Sequence, residues 1–234
     1  MKQIFLLLFF SCVVNVRLPL TEGLVHPPPS VWTVFGDLAT NTAGAVNLGQ
    51  GYPDYDPPKF VIDSLSQSIM HQYTRPAGHP QLVQLLASRY SKHIDREIDA
   101  MNEVAVTVGA SQALYMTLTT LLKKDDEVVV FEPFFELYLK QIALTGARPT
   151  FVKLCGSAAT LEDPWALDVA ALRAAVTDKT KMLLLNSPHN PTGKVFTLYE
   201  MEAIAEIVRQ FPNLIVVSDE VYKYTVYNPL EPGE

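Results

Sequence analysis

Apolar residues follow two different spacings from residue 103 onward. Continuous apolar runs such as Val128-Val129-Val130 and Met182-Leu183-Leu184-Leu185 are typical of parallel strands that are covered on both faces. The stretches between these runs repeat apolar residues at helical spacing. The repeated βα units predict an α/β fold with a parallel, doubly wound sheet. Predicted strands occupy residues 104–108, 127–131, 150–154, 181–186 and 214–219, and predicted helices occupy residues 111–123, 135–145, 168–176 and 198–210.

The N-terminal part of the chain has another pattern. An apolar run at residues 4–14 resembles the core of a secretory signal and is too short for a comfortable membrane span. Residues 1–20 are therefore predicted to be an apolar leader, with a secretory signal, an organellar leader and a wrongly joined upstream stretch all open. Residues 21–59 are rich in proline and predict an extended arm with tight turns. Residues 60–234, which begin with helical spacing at 60–70 and 81–93, are predicted to form part of one large domain.

Composition narrows the class of ligand. The 234 residues are 48% hydrophobic, which is enough for a substantial core. The net charge is -7 with scattered Lys and Arg, so the chain has no electrostatic footprint for nucleic acid. Its cysteines, Cys12 and Cys155, form neither a disulfide framework nor a paired-cysteine metal site, and the body of the protein suits a reducing compartment. A small-molecule role is favoured.

Ligands of doubly wound sheets bind at the carboxyl ends of the strands. After residue 108, Gly109-Ala110-Ser111-Gln112 opens a helix whose backbone N–H groups and Ser111 hydroxyl could hold a phosphate, although an ordinary capped helix has the same sequence. The chain has no G-x-G-x-x-G or Walker motif. After the next strand, Phe134 or Phe135 could stack on a planar ligand or belong to the core.

Two later segments also place polar residues after buried strands. Asn190 lies between His189 and Pro191, where it has little freedom, and this suits an amide that donates to a fixed oxygen. His189 is interpreted as structural. Asp219 ends an apolar strand, where a carboxylate is costly without a cationic partner. A protonated pyridine nitrogen would be such a partner, and a salt bridge to Lys or Arg is the alternative.

Taken together, these and further segments resemble the class I and II aminotransferases of the pyridoxal phosphate (PLP) fold type I. Within that group the chain most resembles kynurenine aminotransferases, also called glutamine transaminase K or cysteine-S-conjugate β-lyase. The resemblance covers residues 30–227. The matching segments are Asn47-Leu48-Gly49-Gln50-Gly51-Tyr52-Pro53-Asp54, Gln72-Tyr73-Thr74-Arg75, Thr107-Val108-Gly109-Ala110, Glu132-Pro133-Phe134-Phe135, Pro188-His189-Asn190-Pro191 and Ser218-Asp219-Glu220-Val221-Tyr222.

The resemblance implies PLP as the cofactor and gives individual residues a role. Asp219 would pair with the pyridine nitrogen, and Phe135 would stack on the ring. Asn190 and Tyr222 would hydrogen-bond the phenolic oxygen of the ring. The residues that would hold the phosphate are Ala110 and Ser111.

The resemblance also implies a substrate site and a partner. Gly51 would contact the substrate carboxylate, Trp32 would line the side-chain pocket, and Tyr73 would reach the site of the neighbouring subunit in a homodimer. The substrates would be an amino acid (kynurenine, glutamine, methionine or an aromatic amino acid) and a 2-oxo acid. The family suggests a cytoplasmic or mitochondrial location, and the apolar N-terminus leaves a secretory route open.

The chain departs from the family pattern in three places. Ser111 stands where the nearest relatives carry Tyr, and the segment 64–73 is shorter than theirs. The sequence stops at Glu234, before the Ser-x-x-Lys segment whose lysine binds the cofactor and before a later substrate-binding arginine. Lys223 is no substitute, since it directly follows Tyr222. We therefore expect a fragment without a catalytic residue of its own and without activity; the alternative is a non-catalytic or dominant-negative subunit that docks onto a full-length aminotransferase. A nicotinamide dehydrogenase is disfavoured by the missing glycine motif.

Overall fold

The structure is a computed structural model that describes residues 30–49, 51, 53, 55–68, 72–154, 160, 161 and 163–226. The predicted leader, residues 1–20, lies outside the described residues. The chain divides into two compact units, Met1–His71 and Gln72–Glu234. This boundary falls later than the predicted end of the N-terminal arm at residue 59, so the first part of the predicted large domain belongs to the first unit.

The described part of the first unit contains the helices α1 (Val31–Thr40) and α2 (Lys59–Gln67). Helix α1 corrects the prediction that residues 21–59 form an extended arm. The helix begins after Ser30, whose Oγ accepts a hydrogen bond of 3.3 Å from the Thr33 N–H and so satisfies one free donor of the first turn. The proline-rich flanking residues favoured the prediction of an extended arm, so the helix that begins after Ser30 was not predicted.

The second unit contains a parallel four-stranded sheet in the order β2-β1-β3-β4. The predictions of strands at 127–131, 150–154, 181–186 and 214–219 are confirmed, with small shifts at their ends. None of the helices among the described residues is long and apolar enough to cross a membrane. The elements of the second unit are α3 (Pro80–Ile94), α4 (Gly109–Leu121), β1 (Glu127–Glu132), α5 (Leu137–Thr145), β2 (Arg148–Lys153), α6 (Val169–Ala175), β3 (Thr180–Asn186), α7 (Leu198–Gln210), β4 (Ile215–Asp219) and a 3-10 turn (Lys223–Thr225).

The predicted strand at residues 104–108 is wrong. The Val106 N–H donates a hydrogen bond of 3.0 Å to the Ala77 carbonyl, but within the described residues no strand pairs with this segment. Residues with high β-propensity form a strand only when a neighbouring strand supplies cross-strand packing and a hydrogen-bonded ladder. That partner cannot be inferred from the local pattern.

Alternate side chains of the sheet enter two separate hydrophobic clusters. On β1, Val129 and Phe131 join the α6/α7 cluster, in which Leu172 of α6 and Ile207 of α7 are buried. The intervening Val128 and Val130 join the α4/α5 cluster, which contains Leu118 of α4 and Ile142 of α5. Helices therefore cover both faces of the sheet, and the predicted doubly wound arrangement is confirmed.

The start of α7 is fixed by a reciprocal cap. Thr197 Oγ1 accepts a hydrogen bond of 3.2 Å from the Glu200 N–H, and Glu200 Oε2 accepts one of 2.9 Å from the Thr197 N–H. This capping box fixes the start of α7 at Leu198, the residue at which the apolar spacing had predicted it. It also fixes one end of the loop between β3 and α7, which carries Asn190.

Candidate functional site

Three predicted site residues, Asn190, Asp219 and Tyr222, lie at or just after the carboxyl ends of β3 and β4. Asn186 and Asp219 are register partners at the ends of the two parallel strands. In the segments that follow, Asn190 Nδ2 and Tyr222 Oη lie 3.5 Å apart, which is a long hydrogen bond. Two donors at this separation can both turn toward one acceptor oxygen, as the sequence prediction for a phenolic oxygen requires.

Asp219 is held by neutral donors. Its Oδ2 accepts a hydrogen bond of 2.7 Å from Tyr138 Oη, and its Oδ1 accepts one of 3.2 Å from the Val221 N–H. No lysine or arginine among the described residues forms an ion pair with it. The alternative of a protein salt bridge is therefore not seen in the described part of the chain.

Tyr138 was not among the site residues predicted from the sequence. This side chain is buried on α5, and burial, followed by the hydrogen bond to Asp219, raises the pKa of its phenol above the usual value. The phenol therefore stays protonated and donates. A buried tyrosine normally finds a partner for its hydroxyl, so an apolar helix position occupied by Tyr was the available signal, but the sequence did not show which acceptor it meets.

Phe134 and Phe135 follow β1 and make different ring contacts. Phe134 is partly buried against the α4/α5 cluster and stacks on the exposed Phe151 of β2, with ring centroids 5.5 Å apart and planes 20° apart. Phe135 meets Tyr138 edge to face, with centroids 5.7 Å apart and planes 87° apart. Phe135 is only partly buried and lies beside the tyrosine that holds Asp219. It remains the candidate for stacking on a planar ligand.

Helix α4 begins at Gly109, which has a φ of +71° that only glycine adopts without strain. Ala110 and Ser111 therefore lie in the first turn, where backbone N–H groups are free of intrahelical partners. The Ser111 carbonyl accepts a hydrogen bond of 2.9 Å from Gln141 Nε2 of α5. Ala110 and Asp219 line the same cavity, of about 250 Å³, so the first turn of α4 and the carboxylate face one space.

A second cavity, of about 440 Å³, is lined by Asn190 and Tyr222 together with the prolines that flank the turn. His189 also lines it but is buried, and its Nδ1 lies 2.9 Å from Thr192 Oγ1. Burial, assisted by the charge of Lys194, lowers the pKa of His189 from 6.5 to about 4. The imidazole is neutral near pH 7 and hydrogen-bonded within its own loop, which agrees with its interpretation as structural.

Lys194 anchors the loop between β3 and α7, and the sequence analysis did not identify it. Its Nζ lies 2.8 Å from Asp163 Oδ2 and 2.9 Å from Glu200 Oε1. Burial alone would lower the pKa of Lys194, but the hydrogen bonds to the two carboxylates outweigh it and the pKa is raised. The loop that carries Asn190 is thus fixed by an internal ion cluster at its far end.

The three predicted substrate residues are divided between the two units. Trp32 lies on α1 of the first unit and is partly exposed, and Gly51 belongs to the same unit. Tyr73, in the second unit, is fully exposed. Their roles toward a substrate, and that of Tyr73 in a neighbouring subunit, stay predictions.

Comparison with known proteins assigns these features to a family. Residues 43–233 match the family model described as aminotransferase class I and II. The chain belongs to this family. Membership implies dependence on PLP, and the chemistry of the predicted residues suits that cofactor. In one cavity, the first turn of α4 would offer donors to a phosphate and Asp219 a carboxylate to a pyridinium. In the other cavity, Asn190 and Tyr222 would offer donors to a phenolic oxygen.

Individual aminotransferases show how far the similarity extends. The chain is 42% identical over 214 residues to a kynurenine–oxoglutarate transaminase of Dictyostelium discoideum, which is 86% of this chain and 49% of that relative. It is 39% identical over 216 residues to kynurenine–oxoglutarate transaminase 3 of Homo sapiens, which is 88% of this chain and 46% of that relative. The chain thus spans about half the length of the curated aminotransferases it matches.

Solved aminotransferase structures have the same fold. N-succinyldiaminopimelate aminotransferase of Mycobacterium tuberculosis superposes with a TM-score of 0.76 at 38% identity, over 86% of this chain and 52% of that one. Aspartate aminotransferase of Thermus thermophilus with maleate superposes with a TM-score of 0.75 at 29% identity, over 86% and 53%. The sheet and its helices are therefore those of the aspartate aminotransferase-like fold.

Proposed function

We propose that this chain is the cofactor-binding part of a PLP-dependent aminotransferase that moves an amino group from an amino acid to a 2-oxo acid. Similarity to kynurenine–oxoglutarate transaminases supports kynurenine as a candidate donor, and glutamine, methionine and aromatic amino acids stay predictions from the family resemblance. The observation that carries the proposal is Asp219: a carboxylate at the end of β4, held by two neutral donors, in a cavity that it shares with the N-terminal turn of α4.

Each site residue has a physical task in this proposal. When bound, PLP supplies an electron sink for the α-carbon of the amino acid. Asp219 keeps the ring nitrogen protonated, because a carboxylate at this position favours the charged form of its partner. Asn190 and Tyr222 orient the ring through its phenolic oxygen. The helix dipole and free N–H groups at Ala110 and Ser111 bind the phosphate, and Phe135 packs against the ring.

The family's covalent attachment needs a lysine, and Lys223 is occupied elsewhere. Its Nζ lies 3.0 Å from Glu220 Oε2 and 5.3 Å from the ring centroid of Tyr90 on α3. We therefore propose that these 234 residues bind the cofactor non-covalently and have no transaminase activity alone.

The cofactor site can be tested with pyridoxamine 5′-phosphate, which carries the same ring and phosphate but cannot react with lysines. Isothermal titration should show saturable binding to the unmodified chain. Asp219→Asn should weaken binding by roughly 10-fold or more, because the ring nitrogen loses its charged partner. His189→Ala and the exposed Asp178→Asn should have much smaller effects. Equal losses in Asp219→Asn and His189→Ala would show that the charge partner is misassigned.

A separate experiment tests whether PLP attaches covalently to a lysine of this chain. The chain is incubated with PLP, treated with borohydride and mapped by mass spectrometry, while transaminase activity is assayed on the same sample. We expect no single lysine to be labelled at stoichiometric level and no turnover. Specific labelling of one lysine together with turnover would overturn the proposal that the chain is inactive.

A further inference from the structure

We infer that Asn186 is a positioning residue that fixes Asn190 and Asp219 relative to each other, an inference that rests on the proposed function. Asn186 ends β3 and is only 3% exposed. Its Oδ1 accepts a hydrogen bond of 2.7 Å from the Asn190 N–H, and its Nδ2 donates one of 2.9 Å to the Asp219 carbonyl. One side-chain amide thus contacts the backbone of both residues.

The side-chain amide of Asn186 uses both its nitrogen and its oxygen in hydrogen bonds. A second hydrogen bond from Nδ2, of 3.1 Å, reaches the Pro188 carbonyl. Both donors of the amide and its acceptor are therefore used, and three segments are joined: the end of β3, the turn that follows it and the end of β4. In a buried position each of these polar groups would be costly to leave unpaired. Rotating or removing the amide of Asn186 would break all three contacts at once.

The consequence for a bound ring is geometric. A planar ligand presents its ring nitrogen and its phenolic oxygen at a fixed separation, so Asp219 and Asn190 must also be held at a fixed separation. Asn186 is the register partner of Asp219 and accepts a hydrogen bond from the Asn190 N–H. It therefore fixes the distance between the backbones of these two residues. Small displacements of binding groups are enough to weaken a preorganised site.

Thr180 provides a matched control at the opposite end of the same strand. It is 4% exposed, and its Oγ1 accepts a hydrogen bond of 2.9 Å from the Thr177 N–H. Thr180→Val removes a buried hydrogen bond from β3, as Asn186→Leu does, but away from the carboxyl end that carries Asn190 and Asp219. A loss of stability common to both variants therefore cannot be mistaken for a positioning effect.

The first experiment needs no ligand. Amide hydrogen exchange measured by NMR should show that the Asn190 N–H exchanges at least roughly 10-fold faster in Asn186→Leu, and at the wild-type rate in Thr180→Val. Asn186→Asp keeps an oxygen that can accept from Asn190 and should retain the protection there. Wild-type protection of Asn190 in Asn186→Leu would overturn the inference. If Asn186→Leu does not fold, Asn186→Asp carries the test through ligand binding.

The second experiment measures pyridoxamine 5′-phosphate affinity and follows the absorbance of the bound ligand against pH. Both Asn186 variants should bind roughly 3- to 10-fold more weakly, whereas Thr180→Val should match wild type. In Asn186→Leu, which adds no charge, the bound ring nitrogen should also lose its proton at lower pH. If wild type binds and the Asn186 variants bind equally well, the inference fails and the proposed function stands. If wild type does not bind, the proposed function fails, and exchange at Asn190 alone decides whether Asn186 sets the geometry.

Discussion

Tyr138 and Asp219 are 81 positions apart in the sequence and are joined by a hydrogen bond of 2.7 Å from Tyr138 Oη to Asp219 Oδ2. Tyr138 belongs to the α4/α5 cluster, so the packing of α5 against the sheet determines where its hydroxyl lies. The carboxylate at the end of β4 is therefore oriented by a helix that follows β1. This contact adds a residue outside the predicted site to the residues that should control cofactor binding.

Tyr138→Phe removes the hydroxyl while keeping the ring in the core. We expect roughly 3- to 10-fold weaker binding of pyridoxamine 5′-phosphate, because Asp219 Oδ2 loses the donor that orients it. Tyr199→Phe is the matched control, since Tyr199 lies on α7 and is 74% exposed. Unchanged affinity in Tyr138→Phe would mean that the Val221 N–H alone orients the carboxylate.

His189 should make stability depend on pH in a defined window. Its pKa is about 4 in the folded chain against the usual 6.5, so the unfolded chain takes up the proton first as the pH falls. The free energy of unfolding should therefore decrease between pH 6.5 and 4, by up to about 3 kcal/mol.

His189→Asn should remove this contribution, because the amide can still bond Thr192 but does not titrate. Urea unfolding at a series of pH values gives the difference between the two proteins. That difference should be constant above pH 7.5 and should shift in favour of the variant from pH 6.5 down to 4. Parallel curves for the two proteins over this window would contradict the assignment of a neutral, buried imidazole.

Lys194 should be the most costly lysine to remove among those in the described ion pairs. Lys194→Met leaves the buried Glu200 carboxylate without its cation and should lower the free energy of unfolding by about 3–5 kcal/mol. Lys140→Met breaks only an exposed helical pair with Glu136 and should cost less than about 1 kcal/mol. Similar midpoints for the two variants in urea would show that the cluster around Lys194 is solvated.

Gly78 and Gly109 both have positive φ and should respond differently to alanine. A Cβ at Gly109 would meet nothing within 4 Å, so Gly109→Ala should cost only the backbone strain of about 1–2 kcal/mol. A Cβ at Gly78, where φ is +114°, would lie 2.7 Å from Cγ2 of Val106. Gly78→Ala should therefore cost a further 1–3 kcal/mol or so. Adding Val106→Ala should recover part of this extra loss, and a strictly additive double variant would contradict the predicted clash.

Much of the sheet could be predicted because its signals are local. The apolar runs of β1 and β3 are long enough to require cover on both faces, and the capping box of Thr197 and Glu200 marks the start of α7. The rule that ligands bind at the carboxyl ends of parallel strands also directed attention to Asn190 and Asp219. Asn186 connects them, since it is the register partner of Asp219 and accepts a hydrogen bond from the Asn190 N–H.

Other features depend on contacts that no local pattern contains. Residues 104–108 have the composition of a strand but find no ladder partner among the described residues. Helix α1 depends on a single serine cap next to a proline run. Tyr138 and Asn186 meet Asp219 only after the chain has folded, so their residue types alone could not reveal their contacts.

The two hydrophobic clusters have an evolutionary consequence. Tyr138 lies within the α4/α5 cluster, and Phe135 and Val217 pack against it, whereas the α6/α7 cluster contains none of the residues assigned to the cofactor. Substitutions on the α6/α7 side need only preserve volume and apolarity, while those on the other side must also preserve the position of a carboxylate. Among related sequences, buried residues of α4 and α5 should therefore be substituted less often than equally buried residues of α6 and α7.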